Sequence, residues 1–123
     1  MAENTFQVEE GVTVTDEVMA EVAGLAASDV EGIAYIGNGL TRENITKAGA
    51  SKLSKGIHII KEDDGTITVR LAVVLKYGYE VPKVCREIQE KVKTNVTSMT
   101  GIEVKEVDIR IASIEVNAAG DKA

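Results

Sequence analysis

Between Thr66 and Lys76 every second residue is a large aliphatic: Ile67, Val69, Leu71, Val73 and Leu75 alternate with Thr68, Arg70, Ala72, Val74 and Lys76. A period of two is the mark of a strand with one covered face. Ile57 to Lys61 forms the strand before it, and Glu62-Asp63-Asp64-Gly65 supplies the turn of an antiparallel hairpin, with Asp64-Gly65 at its tip. After Tyr77-Gly78-Tyr79 the period lengthens. Val81, Val84, Cys85, Ile88, Val92, Val96 and Met99 cover about a third of a helix, and Lys83, Arg86, Glu87, Glu90, Lys91 and Lys93 cover the remainder. Pro82 suits the first helical turn, where an N–H has no partner, and Gly101 suits the C-cap.

An earlier helix begins at Thr15, an N-cap followed by Asp16 and Glu17, whose carboxylates oppose the positive end of the helix dipole. At 100° per residue Val18, Val22 and Leu25 share one stripe, flanked by Met19 and Ala26, and this stripe is expected to face the core. Ala20, Ala23, Gly24 and Ala27 form a neighbouring small-residue face. It reads either as a lightly exposed alanine face or as a close helix contact, within the fold or between subunits. From Ile102 onward the parity of apolar positions changes twice, which predicts one bulge near Lys105-Glu106 and another near Ala112-Ser113.

Three segments carry weaker patterns. Phe6 and Val8 fit a short edge strand or a loose arm, and Val30 to Ile36 fits a strand closed by Gly37-Asn38-Gly39. Residues 37–56 hold only Leu40, Ile45 and Leu53 as large apolar positions, which predicts a mobile excursion with one short helix. The whole describes one α+β domain over residues 6–116, between flexible tails at 1–5 and 117–123. Two amphipathic helices pack on one face of a small mixed sheet, in βαβββαβ-like order. A right-handed strand–helix–strand crossover sets the last strand parallel to the long one. The opposite sheet face carries Thr68, Arg70, Lys76, Asp108 and Arg110 and is expected to meet solvent or a partner.

Composition adjusts this picture in two respects. Aromatics make up 3% of the 123 residues, so the core is built from branched aliphatics. The formal net charge is −6, which disfavours nucleic acid and anionic lipid as partners unless a local basic patch overrides the field. The longest wholly apolar run, Leu71 to Leu75, is far short of the roughly 20 residues of a spanning helix, and the N-terminus lacks the features of a secretory signal. A single cysteine, Cys85, cannot form an intrachain disulfide, in keeping with a reducing compartment.

Candidate chemistry is sparse. The one histidine, His58, sits between Ile57 and Ile59 on a strand, where a surface side chain competes with a general base. Cys85 lies on the apolar stripe of a helix and reads as an inert thiol rather than a nucleophile. Glu62-Asp63-Asp64-Gly65 lacks the ligand spacing of a calcium loop, and Gly37-Asn38-Gly39 lacks the rest of a phosphate-binding motif. No catalytic residue, metal ligand or cofactor is expected. Tyr77 and Tyr79, together with Ala20, Gly24 and Ala27, are the candidate interaction surface; tyrosines at a core edge with wet hydroxyls are the plainer reading.

Gly11-Val12-Thr13-Val14-Thr15, Val30-Glu31-Gly32-Ile33, Lys55-Gly56-Ile57-His58-Ile59, Tyr77-Gly78, Val81-Pro82, Met99-Thr100-Gly101-Ile102-Glu103-Val104 and Val107-Asp108-Ile109-Arg110-Ile111 stand in an order and spacing that resembles the alkaline-shock protein family. Asp108 departs from the Asn expected there. The resemblance implies a non-enzymatic cytoplasmic protein of Gram-positive bacteria in the envelope or alkaline stress response. It further implies a self-associating homo-oligomer that reaches the membrane periphery through a membrane-anchored protein partner, without inserting. The competing expectation is a regulator binding a small, lipid-derived ligand between helices and sheet or beneath residues 37–56.

The alternating strand makes one prediction. Leu71→Asp places an unpaired charge on the covered face, at a cost of about 3 kcal/mol or more, and should abolish the native circular dichroism spectrum.

Overall fold

The computed structural model describes residues 5–37 and 39–116. The expected tails lie outside the described residues, except for Thr5, which belongs to a strand, and so does Asn38 of the Gly37-Asn38-Gly39 turn. In chain order the elements are β1 (Thr5–Glu9), β2 (Val12–Thr15), α1 (Asp16–Ser28), β3 (Ile33–Ile36), α2 (Ala50–Leu53), β4 (Ile57–Lys61), β5 (Ile67–Lys76), α3 (Val81–Thr100) and β6 (Val104–Glu115). A single 3₁₀ turn, Ile45–Lys47, precedes α2.

The four-stranded sheet registers on β5. Ile67, Val69, Leu71, Val73 and Leu75 are all buried beneath the helices, each worth about 1.5–3 kcal/mol. On one side β5 pairs in parallel with β6 along its whole length. The crossover through α3 brings that partner back alongside. On the other side β5 pairs antiparallel with β4 over Ile67 to Leu71 and with β3 over Val73 to Leu75. The changeover falls at Ala72, whose carbonyl accepts from the Gly37 N–H at 2.7 Å while its own N–H donates to the Gly56 carbonyl at 2.9 Å. β3 and β4 therefore act as one edge strand, interrupted by an excursion whose two ends touch. A Cβ on Gly56 would stand 2.7 Å from the Gly37 Cα, so neither position has room for a side chain.

The excursion is packed against the domain. It carries two short helical turns where one was expected, and it buries Leu40, Ile45 and Leu53 completely or nearly so. Asn44 ties its neck: its side-chain oxygen accepts from the Thr41 N–H at 2.9 Å, and its amide donates to the Gly39 carbonyl at 3.1 Å. Arg42 pairs with Asp29 at 2.6 Å across the surface.

Both expected bulges are present in β6. Ile67 pairs with Val104 but Thr68 with Glu106, leaving Lys105 extra, and Val73 pairs with Ile111 but Val74 with Ser113, leaving Ala112 extra. The caps also agree with the sequence. The Thr15 hydroxyl accepts from the Val18 N–H at 3.2 Å, and Gly101 ends α3 at φ 77°. Three features depart from expectation. β1 and β2 form a separate two-stranded hairpin in which Phe6, buried, faces Val14. Lys61 clamps that hairpin to β4, donating to the Thr5 carbonyl at 2.7 Å with its ammonium over the Phe6 ring. β3 begins at Ile33, because Val30 to Gly32 turn the chain and Gly32 takes φ 103°.

The third departure is the orientation of α1. Its buried arc is Met19, Ala20, Val22, Ala23, Gly24, Ala26 and Ala27, whereas Val18 is exposed and Leu25 half-buried. Small residues point inward because α1 is hemmed in by α3, the sheet and the excursion, and only side chains the size of alanine let them approach. At Gly24 an added Cβ would overlap Ile45 Cδ1 and stand 2.8 Å from Ile57 Cδ1. On α3 the core stripe is Val84, Ile88, Val92, Val96 and Thr100, with Val81 and Met99 exposed and Cys85 half-buried.

Gly24→Ala should therefore destabilise the domain by about 1–2 kcal/mol, although alanine is the better helix former. Ile45→Val removes the clashing methyl and alone costs about 1 kcal/mol. Urea denaturation of the double variant should show a loss smaller than the two added together; strict additivity contradicts the contact.

Candidate functional site

β6, the longest strand of the four-stranded sheet, lies at one of its edges. Among the described residues β6 pairs only with β5; along its other edge the buried Val107 has its carbonyl taken by the Gln89 side chain of α3 at 3.0 Å, and the groups beyond it have no strand partner. Edge strands of this kind can accept another extended segment. The two bulges divide the edge, so that Glu106 to Ile111 is the stretch in unbroken register. At the C-terminal end the Tyr77 N–H donates to the Glu115 carbonyl at 3.0 Å, which sets Tyr77 beside Val116. Tyr77 is 72% exposed and Val116 76%, with Ile114 and Val81 also exposed. The fold thus gathers an apolar cluster at the end of the free edge.

The two tyrosines have different surroundings. Tyr79 is folded over the left-handed turn before β3, and a Cβ at Gly32 would meet its ring at 2.9 Å. Its hydroxyl reaches the Glu31 carboxylate at 3.4 Å. It joins the α1–β3 turn to the entry of α3, whereas Tyr77 projects into solvent. Ala20, Gly24 and Ala27 belong to neither tyrosine. All three are buried in the protomer against neighbouring elements, so the small-residue face is a contact within the fold and offers no surface to a second subunit.

Among the described residues the three groups with shifted pKa values lie apart. Burial and the neighbouring Glu17 raise Glu21 on α1, hydrogen bonds from Thr66 lower Asp64 in the hairpin turn, and burial raises the Cys85 thiol on α3. These lie on three separate elements. Among the described residues no group of three or more His, Cys, Asp or Glu side chains is placed to hold a metal. His58 stands on the outer sheet face, opposite Arg70 in the β4–β5 register, and Arg70 in turn stands opposite Asp108 of β6. Histidine and carboxylate are therefore two strands apart, roughly 10 Å, with an arginine between them. An open depression surrounds this row, rimmed by Lys55 and Arg110 as well. Sequence reasoning set Arg70, Asp108 and Arg110 on this face by parity; it missed Lys55 and His58, because their register depends on the interrupted edge strand.

The chain matches the model of the alkaline-shock protein family, described as having a cell envelope-related function, over residues 4–116, and it belongs to that family. The resemblance seen in its motifs is thus correct. It is 31% identical over 104 residues to the uncharacterized protein YqhY of Bacillus subtilis, covering 85% of this chain and 76% of the relative. A similar identity, 31% over 103 residues, relates it to the uncharacterized protein Spy1535 of Streptococcus pyogenes, covering 84% and 78%. At 23% identity over 107 residues it resembles a Streptococcus pyogenes protein named as a stress response regulator gls24 homolog, covering 85% of this chain and 58% of that one. No solved structure matches the chain. No helix among the described residues is long and apolar enough to cross a membrane.

The contrast between the tyrosines is measurable. Tyr79→Ala should lower stability by about 1–2 kcal/mol by stripping the ring from the turn at Gly32, while Tyr77→Ala should stay within about 0.5 kcal/mol of the parent. Denaturant midpoints decide this, and equal effects at the two positions contradict the assignment.

Proposed function

We propose that this member of a cell envelope-related family is a non-enzymatic adaptor of the stress response, which self-associates and docks on a membrane-anchored protein partner. The observation that carries this reading is the free edge of β6, ending in the exposed cluster of Tyr77, Ile114 and Val116. Main-chain groups of an incoming strand supply affinity along such an edge, and a neighbouring apolar cluster fixes where the strand ends. A second copy offers the same edge. Two copies paired β6 to β6 about a two-fold axis would join their sheets into one, a self-complementary arrangement. The location that follows is cytoplasmic and peripheral, with the partner providing the anchor.

Charged residues placed on the cluster test this. Tyr77→Lys with Ile114→Lys leaves the core untouched, because both side chains are exposed. Size-exclusion chromatography with light scattering should show the parent as an oligomer and the double variant as a monomer with an unchanged circular dichroism spectrum. Crosslinking in cells should recover a membrane protein with the parent alone. A parent that is strictly monomeric at high concentration, and that crosslinks to nothing at the membrane, would sink the reading.

A second reading, a regulator with a small lipid-derived ligand, has one observation in its favour. A cavity of about 320 Å³ opens between the start of α1 and α2, floored by Ala20, Leu53, Ile57 and Ile59. Asp16 and Glu17 stand at this cavity, so a neutral or cationic head group suits it better than a fatty-acid carboxylate. Such a ligand would raise the melting temperature of the folded protein.

A further inference from the structure

Around the row described on the outer sheet face the chain reverses its overall charge. Lys55, Arg70 and Arg110 together with His58 surround one carboxylate, Asp108, on a protein whose formal net charge is −6. The depression they rim measures about 330 Å³ and is open to solvent. Register explains why it exists. Ala72 lies opposite Arg110 on one side, and its N–H bonds the carbonyl of Gly56, the residue after Lys55, on the other. Beside Arg110 the floor is thus a methyl group and a residue without a side chain, and Lys55, the residue before Gly56, stands at the rim. In the row before it, Arg70 stands between His58 and Asp108. Neighbouring strands are about 4.8 Å apart and successive rows about 7 Å apart, so Arg70 and Arg110 lie within reach of one small anion, with Lys55 on the same rim.

We infer that this depression is a binding site for a single phosphate group, carried either by a soluble phosphomonoester or by an anionic lipid head group. Guanidinium groups match phosphate oxygens in forked geometry, and the two arginines here come from different strands, so they grip from two directions. Asp108 sets the affinity. It pairs with Arg70 at 3.5 Å, a loose contact between two half-exposed side chains, and it competes with any incoming anion for that guanidinium. The charge stops at the edges of the site. Glu106 lies one row beyond Asp108 on β6, and Glu62 bonds Thr68 on the same face, so a polyanion following the sheet would meet carboxylates on leaving the depression. One phosphate is favoured over a nucleic-acid backbone for this reason. The site is separate from the β6 edge cluster and stands whether or not that cluster binds a partner.

The test is titration of the ¹⁵N-labelled protein with inorganic phosphate and with glycerol 3-phosphate, at constant ionic strength in chloride. Saturable amide shifts should be confined to Lys55–His58, Arg70–Ala72 and Asp108–Arg110. Arg110→Ala and Lys55→Ala should each weaken binding about five-fold, and Asp108→Asn should tighten it about five-fold, the change expected of one exposed charge interaction. All three side chains lie at the surface, and unchanged melting temperatures will show that the fold is intact. Co-sedimentation with phosphatidylglycerol vesicles that soluble phosphate reverses assigns the site to a head group. Saturable soluble binding without co-sedimentation assigns it to a phosphomonoester. Shifts that do not saturate, or that are the same in Arg110→Ala and Asp108→Asn as in the parent, overturn the inference.

Discussion

The structure depends on burying one aliphatic face of a single strand. β5 is paired on both sides, and its five large inward residues are covered by α1 and α3 with little aromatic bulk to fill gaps. Branched aliphatics occupy little volume, so the covering helices must come close. That constraint explains the alanines of α1, the missing side chain at Gly24, and the way Ile45 of the excursion inserts where that side chain would be. Close approach is also felt at Gly37 and Gly56, where the edge strand is cut and rejoined with no space for a Cβ on either residue.

Much of this could be read from local pattern. β5, its hairpin with β4, the proline entry and glycine exit of α3, and the parallel return of β6 all follow from periodicity and turn chemistry. The two bulges of β6 were legible because a change of parity along a strand has few other physical meanings. The face of α1 is legible only in part: Met19, Val22 and Ala26 are buried as expected, whereas Val18 is exposed and Leu25 half-buried. Hydrophobicity ranks Val18 and Leu25 above alanine, but packing distance outweighs side-chain transfer energy when helices are pressed together. The packing of the excursion is not legible, since its three large apolar residues, spread over residues 40–53 and all buried, have no period to announce them. Of the residues expected on a surface, Tyr77 is exposed beside the end of β6, while Ala20, Gly24 and Ala27 are buried.

Three features of the exterior differ in character. The free edge of β6 and the apolar end beside Tyr77 suit an extended protein segment. The cationic depression over Ala72 suits a phosphate. The cavity at the start of α1 suits a small, largely apolar molecule. The cavity at α1 is remote from the other two, whereas the depression shares Asp108 and Arg110 with the middle of β6. Acidic net charge keeps the remaining surface repulsive toward anions, which sharpens the contrast at the basic depression.

Amide hydrogen exchange tests the central claim, that β6 offers an open edge on a rigid β5, most directly. At low protein concentration, amides of β5 should exchange only on global unfolding, while the outward amides of Ile109 and Ile111, beyond the stretch that α3 covers at Val107, should exchange within the dead time and gain protection as concentration rises or partner membranes are added. Outward amides of β6 as slow as those of β5 at every concentration would mean that the edge is already closed, and would contradict the account.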